Sequence, residues 1–305
     1  MSTGLGLTTI LECLKSGERE MGLNPADWQV GSDNKGQKLF AAKQFGWRTG
    51  LRFFKKEALR GFATTVHQEL VDKMVEWKMR IQPPPDLGFT AVYMIAQLKE
   101  SLKWAKTGER YYRRDADWPE FLLKEAMFFR FGPGERDLVA VVKTREDDTA
   151  EGDTVEGDTV YMMPYTGDVL EGMKLVEAIE AIEAAMKPEF SPKYKGVVPP
   201  CIKAMIDVSL DWLLGMINDG NFIAYAKQRI EFGMNEKGFA VREETVIGTL
   251  RTCAPRVELK PFILSPNGEP FLFWRRRPGV EFPISMFQFT KDHFADPGNL
   301  DDIVK

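Results

Sequence analysis

The side chains best suited to nucleophilic or soft-metal chemistry are few: two histidines, His67 and His293, and three cysteines, Cys13, Cys201 and Cys253. They are scattered without CxxC or HxxxH spacing, so no four of them form a zinc set, and no metal site is expected. A Ser-His-Asp triad could draw only on His67 or His293, and no GxSxG nucleophile elbow accompanies either. Gly31 to Gly36 has the paired-glycine spacing of a phosphate loop, but Gln37 stands where the lysine belongs, so the segment reads as a turn. Gly4-x-Gly6 lacks the third glycine of a dinucleotide loop. Arg275-Arg276-Arg277 follows an apolar run and reads as the solvated end of a hairpin rather than a nucleic-acid patch. The chain is therefore not expected to be an enzyme, and no cofactor is expected.

The elements that would carry these residues come from a chain of 305 residues, 44% hydrophobic and 28% charged, which excludes disorder by composition. Forty-one Lys+Arg against 45 Asp+Glu give a net charge of −4, so neither nucleic acid nor an anionic membrane is an expected partner. The N-terminus lacks a basic region followed by an apolar run, no apolar stretch approaches a membrane span, and three cysteines are too few for a disulfide scaffold. A soluble protein of the cytoplasm is the expectation. Apolar spacing predicts helices over Thr8 to Lys15, Leu51 to Leu59 and Glu69 to Arg80, the last ended by Pro83-Pro84-Pro85, and over Leu170 to Met186. Glu-Gly-Asp-Thr-Val occurs twice in succession from Glu151 and reads as an exposed loop. The last hundred residues are strand-rich, at Ala224 to Gly233, Val246 to Leu250, Pro270 to Trp274 and Ile284 to Phe289. Between the first two of these lies a long connection of mixed composition, of the kind that usually carries function. Elements alternate without βαβ repeats, so the fold class is α+β.

That connection resembles the hinge of the serpin family, protease inhibitors with a long exposed reactive loop. Asn235, Glu236, Gly238 and Thr245 keep the spacing of the family's Asn-Glu-Glu-Gly-Thr-Glu-Ala-Ala-Ala-Ala-Thr, and Gln228 stands where the family has His or Gln. Leu214-Gly215-Met216 with Phe222-Ile223 resembles its Ser-Gly-Met…Leu-x-Ile, and Pro270 to Arg276 its Pro-Phe-Leu-Phe-x-Ile-Arg strand. Upstream, Met74 to Trp77, Thr90 to Trp104 and Met163 to Asp168 are collinear with further family segments, whereas Glu269 replaces the usual His before Pro-Phe. The resemblance implies one domain over residues 1–305, with three β-sheets, about eight helices, a missing first helix and an exposed reactive loop over about 237–260.

The resemblance also implies a mechanism. In the family a protease attacks the loop, and the cleaved hinge then enters a large sheet as an extra strand while the acyl-enzyme is still attached. The hinge residues here are Glu236, Gly238, Phe239, Val241, Glu243 and Thr245, and strand alternation puts Phe239, Val241, Glu243 and Thr245 on one face. Phe239 is larger than the family's threonine and Glu243 is a carboxylate, which together predict slow insertion. Counting sixteen residues from Glu236 puts the reactive bond after Thr252, whereas Pro255-Arg256-Val257 puts it after Arg251. Arginine suits an acidic specificity pocket, so Arg251–Thr252 implies a trypsin-like serine protease as partner if the protein inhibits. Loop-sheet self-association is a further possible partnership. Two readings stay open: an inhibitor with an unfavourable hinge, and a non-inhibitory serpin acting as a binding, carrier or interaction protein.

Overall fold

The computed structural model describes residues 2–31, 34–88, 91–145, 147–148, 154–155, 157–189, 194–245 and 260–305. The chain opens with β1 (Thr3–Gly6) and α1 (Leu7–Met21), followed by α2 (Lys35–Trp47), β2 (Leu59–Thr64), α3 (His67–Glu76), β3 (Tyr93–Leu98) and β4 (Glu100–Lys103). Then come β5 (Met127–Arg130), β6 (Leu138–Lys143), β7 (Thr159–Pro164), α4 (Met173–Ala185), β8 (Lys187–Pro188), β9 (Ile202–Ser209) and β10 (Lys227–Asn235). The chain closes with β11 (Gly238–Thr245), β12 (Phe271–Arg276), β13 (Ser285–Phe289) and α5 (Asp301–Val304). The fold is mixed α and β with several sheets. The largest has seven strands in the order β1-β13-β12-β7-β6-β5-β8, and a second has four in the order β9-β10-β11-β4.

Sequence period explains the second sheet directly. In β9, Ile202, Ala204, Ile206 and Val208 are buried while Lys203, Met205, Asp207 and Ser209 are exposed, the period-two pattern of a strand with one face on a core. That core is an aromatic layer between the two large sheets. Phe232 of β10 lies 5.0 Å from Phe273 of β12 and 4.8 Å from Phe287 of β13, measured between ring centroids. Strands β12 and β13 read as near-continuous apolar runs because the structure covers both of their faces: all five residues of β13 are buried. The apolar face of α1 buries Leu7, Ile10, Leu11 and Leu14 and packs on β2 and β3.

Several expectations need correction. The described residues contain five α-helices and four 3-10 turns rather than about eight helices, and seven sheets, five of them two-stranded, rather than three. Leu51 to Leu59 is not a helix: a 3-10 turn spans Arg48–Phe53 and Leu59 opens β2, whose backbone groups pair with β3. The glycine-bearing N-terminus is a strand, because Thr3 to Gly6 pair with Gln288 to Ser285 at the edge of β13. The Gly31 to Gly36 segment leads into a helix start, where the Asn34 side chain accepts from Gly36 N at 2.8 Å and Gln37 N at 3.4 Å. The second Glu-Gly-Asp-Thr-Val copy is not an exposed loop: Asp158, Thr159 and Val160 are buried, and Thr159 opens β7 against the core, while residues 151–153 and 156 lie outside the described residues. Among the described residues no helix is long and apolar enough to cross a membrane.

Candidate functional site

The hinge residues singled out above start at a tight turn. The Asn235 side chain accepts from Lys237 N at 3.0 Å, and Asn235 pairs with Gly238 across the hairpin. The turn is fastened to the strand beyond it, since Trp104 Nε1 donates to Asn235 O at 2.9 Å and Gly108 N donates to Glu236 O at 2.7 Å. Glycine is required at 238: a Cβ there would lie 2.0 Å from the Leu102 carbonyl oxygen.

From Gly238 the chain does not leave the molecule. It runs as β11 between β10 and β4, antiparallel to both, with Phe239 opposite Met234 on one side and Leu102 on the other. After Val241 the register shifts, so that Arg242 and Glu243 also oppose Glu100. Phe239 is 0% exposed, with ring centroids at 5.3 Å from Trp104, 6.0 Å from Phe232 and 5.4 Å from Phe273. Val241 is buried on the same face, as alternation predicts. Two expectations are thereby corrected. Residues 238–245 are a sheet strand rather than the start of an exposed loop. Phe239 does not overpack the sheet, because the aromatic layer beneath it is built to receive a ring. The backbone of Glu243 and Thr245 belongs to β11, while their side chains, and Arg251, Thr252 and Cys253 entirely, lie outside the described residues.

The opposite face of β11 is covered too. Ala240 is 0% exposed and packs with Leu300 and Val304 of the C-terminal segment. One guanidinium joins hinge to terminus: Arg110 Nε meets Glu236 Oε2 at 2.8 Å and its Nη2 meets Asp296 Oδ2 at 2.8 Å. Burial would lower the Arg110 pKa, but its bond to Asp296 and the nearby Cys201, Glu236 and Asp296 hold it above the ordinary value.

Where β11 meets β4, the arginine run enters the interior. Arg275 is 0% exposed and pairs with Glu100 and, at 3.2 Å, with Asp158. Arg277 Nη2 lies 2.7 Å from Glu100 Oε1 and its Nε lies 2.9 Å from Asp158 Oδ1. Burial alone would lower the Arg277 pKa, yet the two carboxylates more than reverse this and hold it well above the arginine range. The solvated-hairpin reading of Arg275 to Arg277 is corrected: Arg275 and Arg277 are drawn inward because Glu100 and Asp158 are already buried and need cations.

Beside this assembly a cavity of about 240 Å³ opens between α1, β3 and the first half of β10. Ile10, Leu14, Met94, Leu213 and Ile230 are among its walls. Cys13 is also on its wall, and burial, helped by Glu12, pushes that thiol up to about 12, so it is no nucleophile at neutral pH. Among the described residues no group of three His, Cys, Asp or Glu side chains could hold a metal ion.

Sequence reasoning missed Ala240, Glu100, Asp158, Leu300 and Val304. A signal existed for two of them: an odd acid beside an apolar strand, with a run of arginines elsewhere, is the composition of a buried ion pair. The contact between β11 and α5 joins residues about sixty apart and leaves no local trace.

No family model matches the chain, and no curated protein sequence matches it. Solved structures similar to it include a thyroxine-binding globulin complex with thyroxine, at 10% identity over 94% of this chain and 92% of that one, TM-score 0.46. A second structure of thyroxine-binding globulin, from human, is 10% identical over 94% of this chain and 91% of that chain, TM-score 0.48.

Proposed function

We propose that this chain is a non-inhibitory, serpin-like binding or carrier protein. The serpin resemblance rests on the motifs from Leu214 to Phe289, and the non-inhibitory reading rests on one observation. Gly238 to Val241 are already paired on both sides, with Phe239 wholly buried. Suicide inhibition draws on the free energy released when an unpaired hinge enters the sheet behind a trapped protease. A hinge that is paired and buried before cleavage has already released its share, so less is left to trap the acyl-enzyme before it hydrolyses. The inhibitor reading, with Arg251–Thr252 as bait for a trypsin-like protease, requires the opposite starting state. Incubation with trypsin and with chymotrypsin, followed by denaturing electrophoresis and a thermal melt, separates the two. Nicked chains without a covalent band, and a melting temperature moved by no more than a few degrees, are expected. A protease-sized covalent adduct would overturn the reading.

A further inference from the structure

The cavity beside β10 combines an apolar interior with an uneven charge at its rim. Of the charged side chains lining it, Arg80, Lys227 and Arg229 are cationic and Glu231 alone is anionic. Two of the cations are committed: Arg80 Nη1 pairs with Glu231 at 2.5 Å, and Arg229 makes a two-pronged pair with Asp207 at 2.6 and 2.8 Å. Lys227 makes no salt bridge among the described residues, and its ammonium rests 5.7 Å from the centroid of the Tyr225 ring, which also lines the cavity. Asp207 senses the Lys227 charge, but its hydrogen bonds go to Arg229, which does most to hold its carboxyl below the ordinary value. The interior offers methyl and thioether groups from Ile10, Leu14, Met79, Met94 and Ile230. Gln228, a buried polar side chain of the wall, is engaged with Gly6 N at 2.9 Å, Gly6 O at 2.8 Å and Thr9 Oγ1 at 2.8 Å, so it asks for nothing from a ligand. Cys13 adds no charge, since its thiol stays protonated at neutral pH.

The geometry points to a binding site for an amphipathic organic anion, an apolar chain seated between α1, β3 and β10 with its carboxylate at Lys227. Burial of the chain supplies affinity in proportion to apolar area, and the cation at the mouth fixes orientation and selects against neutral and cationic analogues. A neutral molecule of the same shape would leave the rim charge uncompensated. A cationic one would meet the like charge of Lys227.

The proposal gives the binding role above a ligand class and rests on it, yet the two fail separately. A covalent protease adduct would sink the non-inhibitory reading whatever binds here, and absence of ligand binding would leave that reading standing. The test uses the full chain with methionine methyls labelled with carbon-13, titrated with decanoate, 1-decanol and decylamine. Decanoate is expected to shift the Met79 and Met94 methyl resonances and to leave Met163 and Met173, buried elsewhere in the core, unmoved. Lys227→Glu, a surface change compatible with folding, is expected to weaken decanoate at least about tenfold, or about 1.4 kcal/mol, while Lys227→Arg retains it. Unmoved Met79 and Met94 methyls at millimolar decanoate would overturn the site. Equal binding of decanoate and decanol, or an indifferent Lys227→Glu, would overturn the anion assignment and with it the proposal.

Discussion

Phe239 is a residue whose size, read alone, points the wrong way. A ring at a position where threonine is expected looks like an obstacle, but its three aromatic neighbours make it a core residue. Phe239→Ala is expected to cost roughly 3–5 kcal/mol in urea unfolding, as for other buried phenylalanines. Phe239→Thr is expected to destabilise as well instead of creating an inhibitor, and a loss below about 1 kcal/mol would show that the ring is not seated there. Glu100 belongs to the same scale. Glu100→Gln leaves the buried Arg275 and Arg277 short of a counter-charge and is expected to cost roughly 3–5 kcal/mol, to be compared with the smaller loss from Glu183→Gln, whose only ion-pair partner among the described residues is the half-buried Arg276 and whose other contact, the Trp274 Nε1 donor, a neutral amide oxygen can still accept. The Cys13 thiol gives a pH dependence. Its folded pKa of about 12 lies above the ordinary value of 9.0, so the fold favours the protonated form. That contribution is intact below pH 9 and is lost as pH rises from 9 toward 12, so the urea midpoint should fall across this window, and fall less in Cys13→Ala. Native-state alkylation of the half-buried Cys13 at pH 8 should be slow relative to the unfolded chain because its thiol stays protonated, and equal rates would refute the raised pKa.

Among the elements, α5 and the segment leading to it carry more than their length suggests. Two small residues make room for them: Ala240, and Gly233, which pairs with it in the sheet. A Cβ on Gly233 would lie 2.3 Å from Ile303 Cδ1 and 2.9 Å from Pro297 Cβ. The tail is held by apolar contact from Leu300 and Val304, by the Arg110–Asp296 pair, and by Asn235 Nδ2 donating to Gly298 O at 3.3 Å. Removing residues 296–305 would uncover Ala240 and cut these ties to the hinge turn. Amide exchange over residues 238–241 should then accelerate at least tenfold while β12 and β13 stay protected. Gly233→Val should do the same with the chain at full length, by wedging the tail away. Unchanged protection in both variants would mean that β11 holds its place without the terminus.

For the molecule as a whole, the burial pattern separates a large cluster from a small one. The large cluster joins the seven-stranded and four-stranded sheets with α1, α2 and α4, whereas Leu70, Met74, Trp77, Tyr93 and Ile95 form their own cluster under α3. Elements resting on few buried side chains open at lower free energy than the global transition. Amides of α3 and of the β2–β3 pair should therefore exchange faster than those of β12 and β13, and should do so with a weaker denaturant dependence. A single common opening free energy across both sets would show that the small cluster is fully coupled to the large one.

Local pattern was enough to place the helices α1, α3 and α4 and the strands β10, β12 and β13, although α3 ends at Glu76, short of the expected Arg80. These features follow from period and from residue types that act on their near neighbours. What only the tertiary structure decided was where charge and bulk could be tolerated. Arg275 reads as solvated by sequence, but Glu100 of β4 and Asp158, just before β7, lie beside it, and Phe239 reads as oversized, but the opposite sheet supplies its pocket. A buried charge or ring is stable only through partners brought from far along the chain, and one-dimensional spacing carries no record of those partners. The same reason kept the cavity hidden: its walls come from α1, β3 and β10, each of which reads by itself as an ordinary half-buried element.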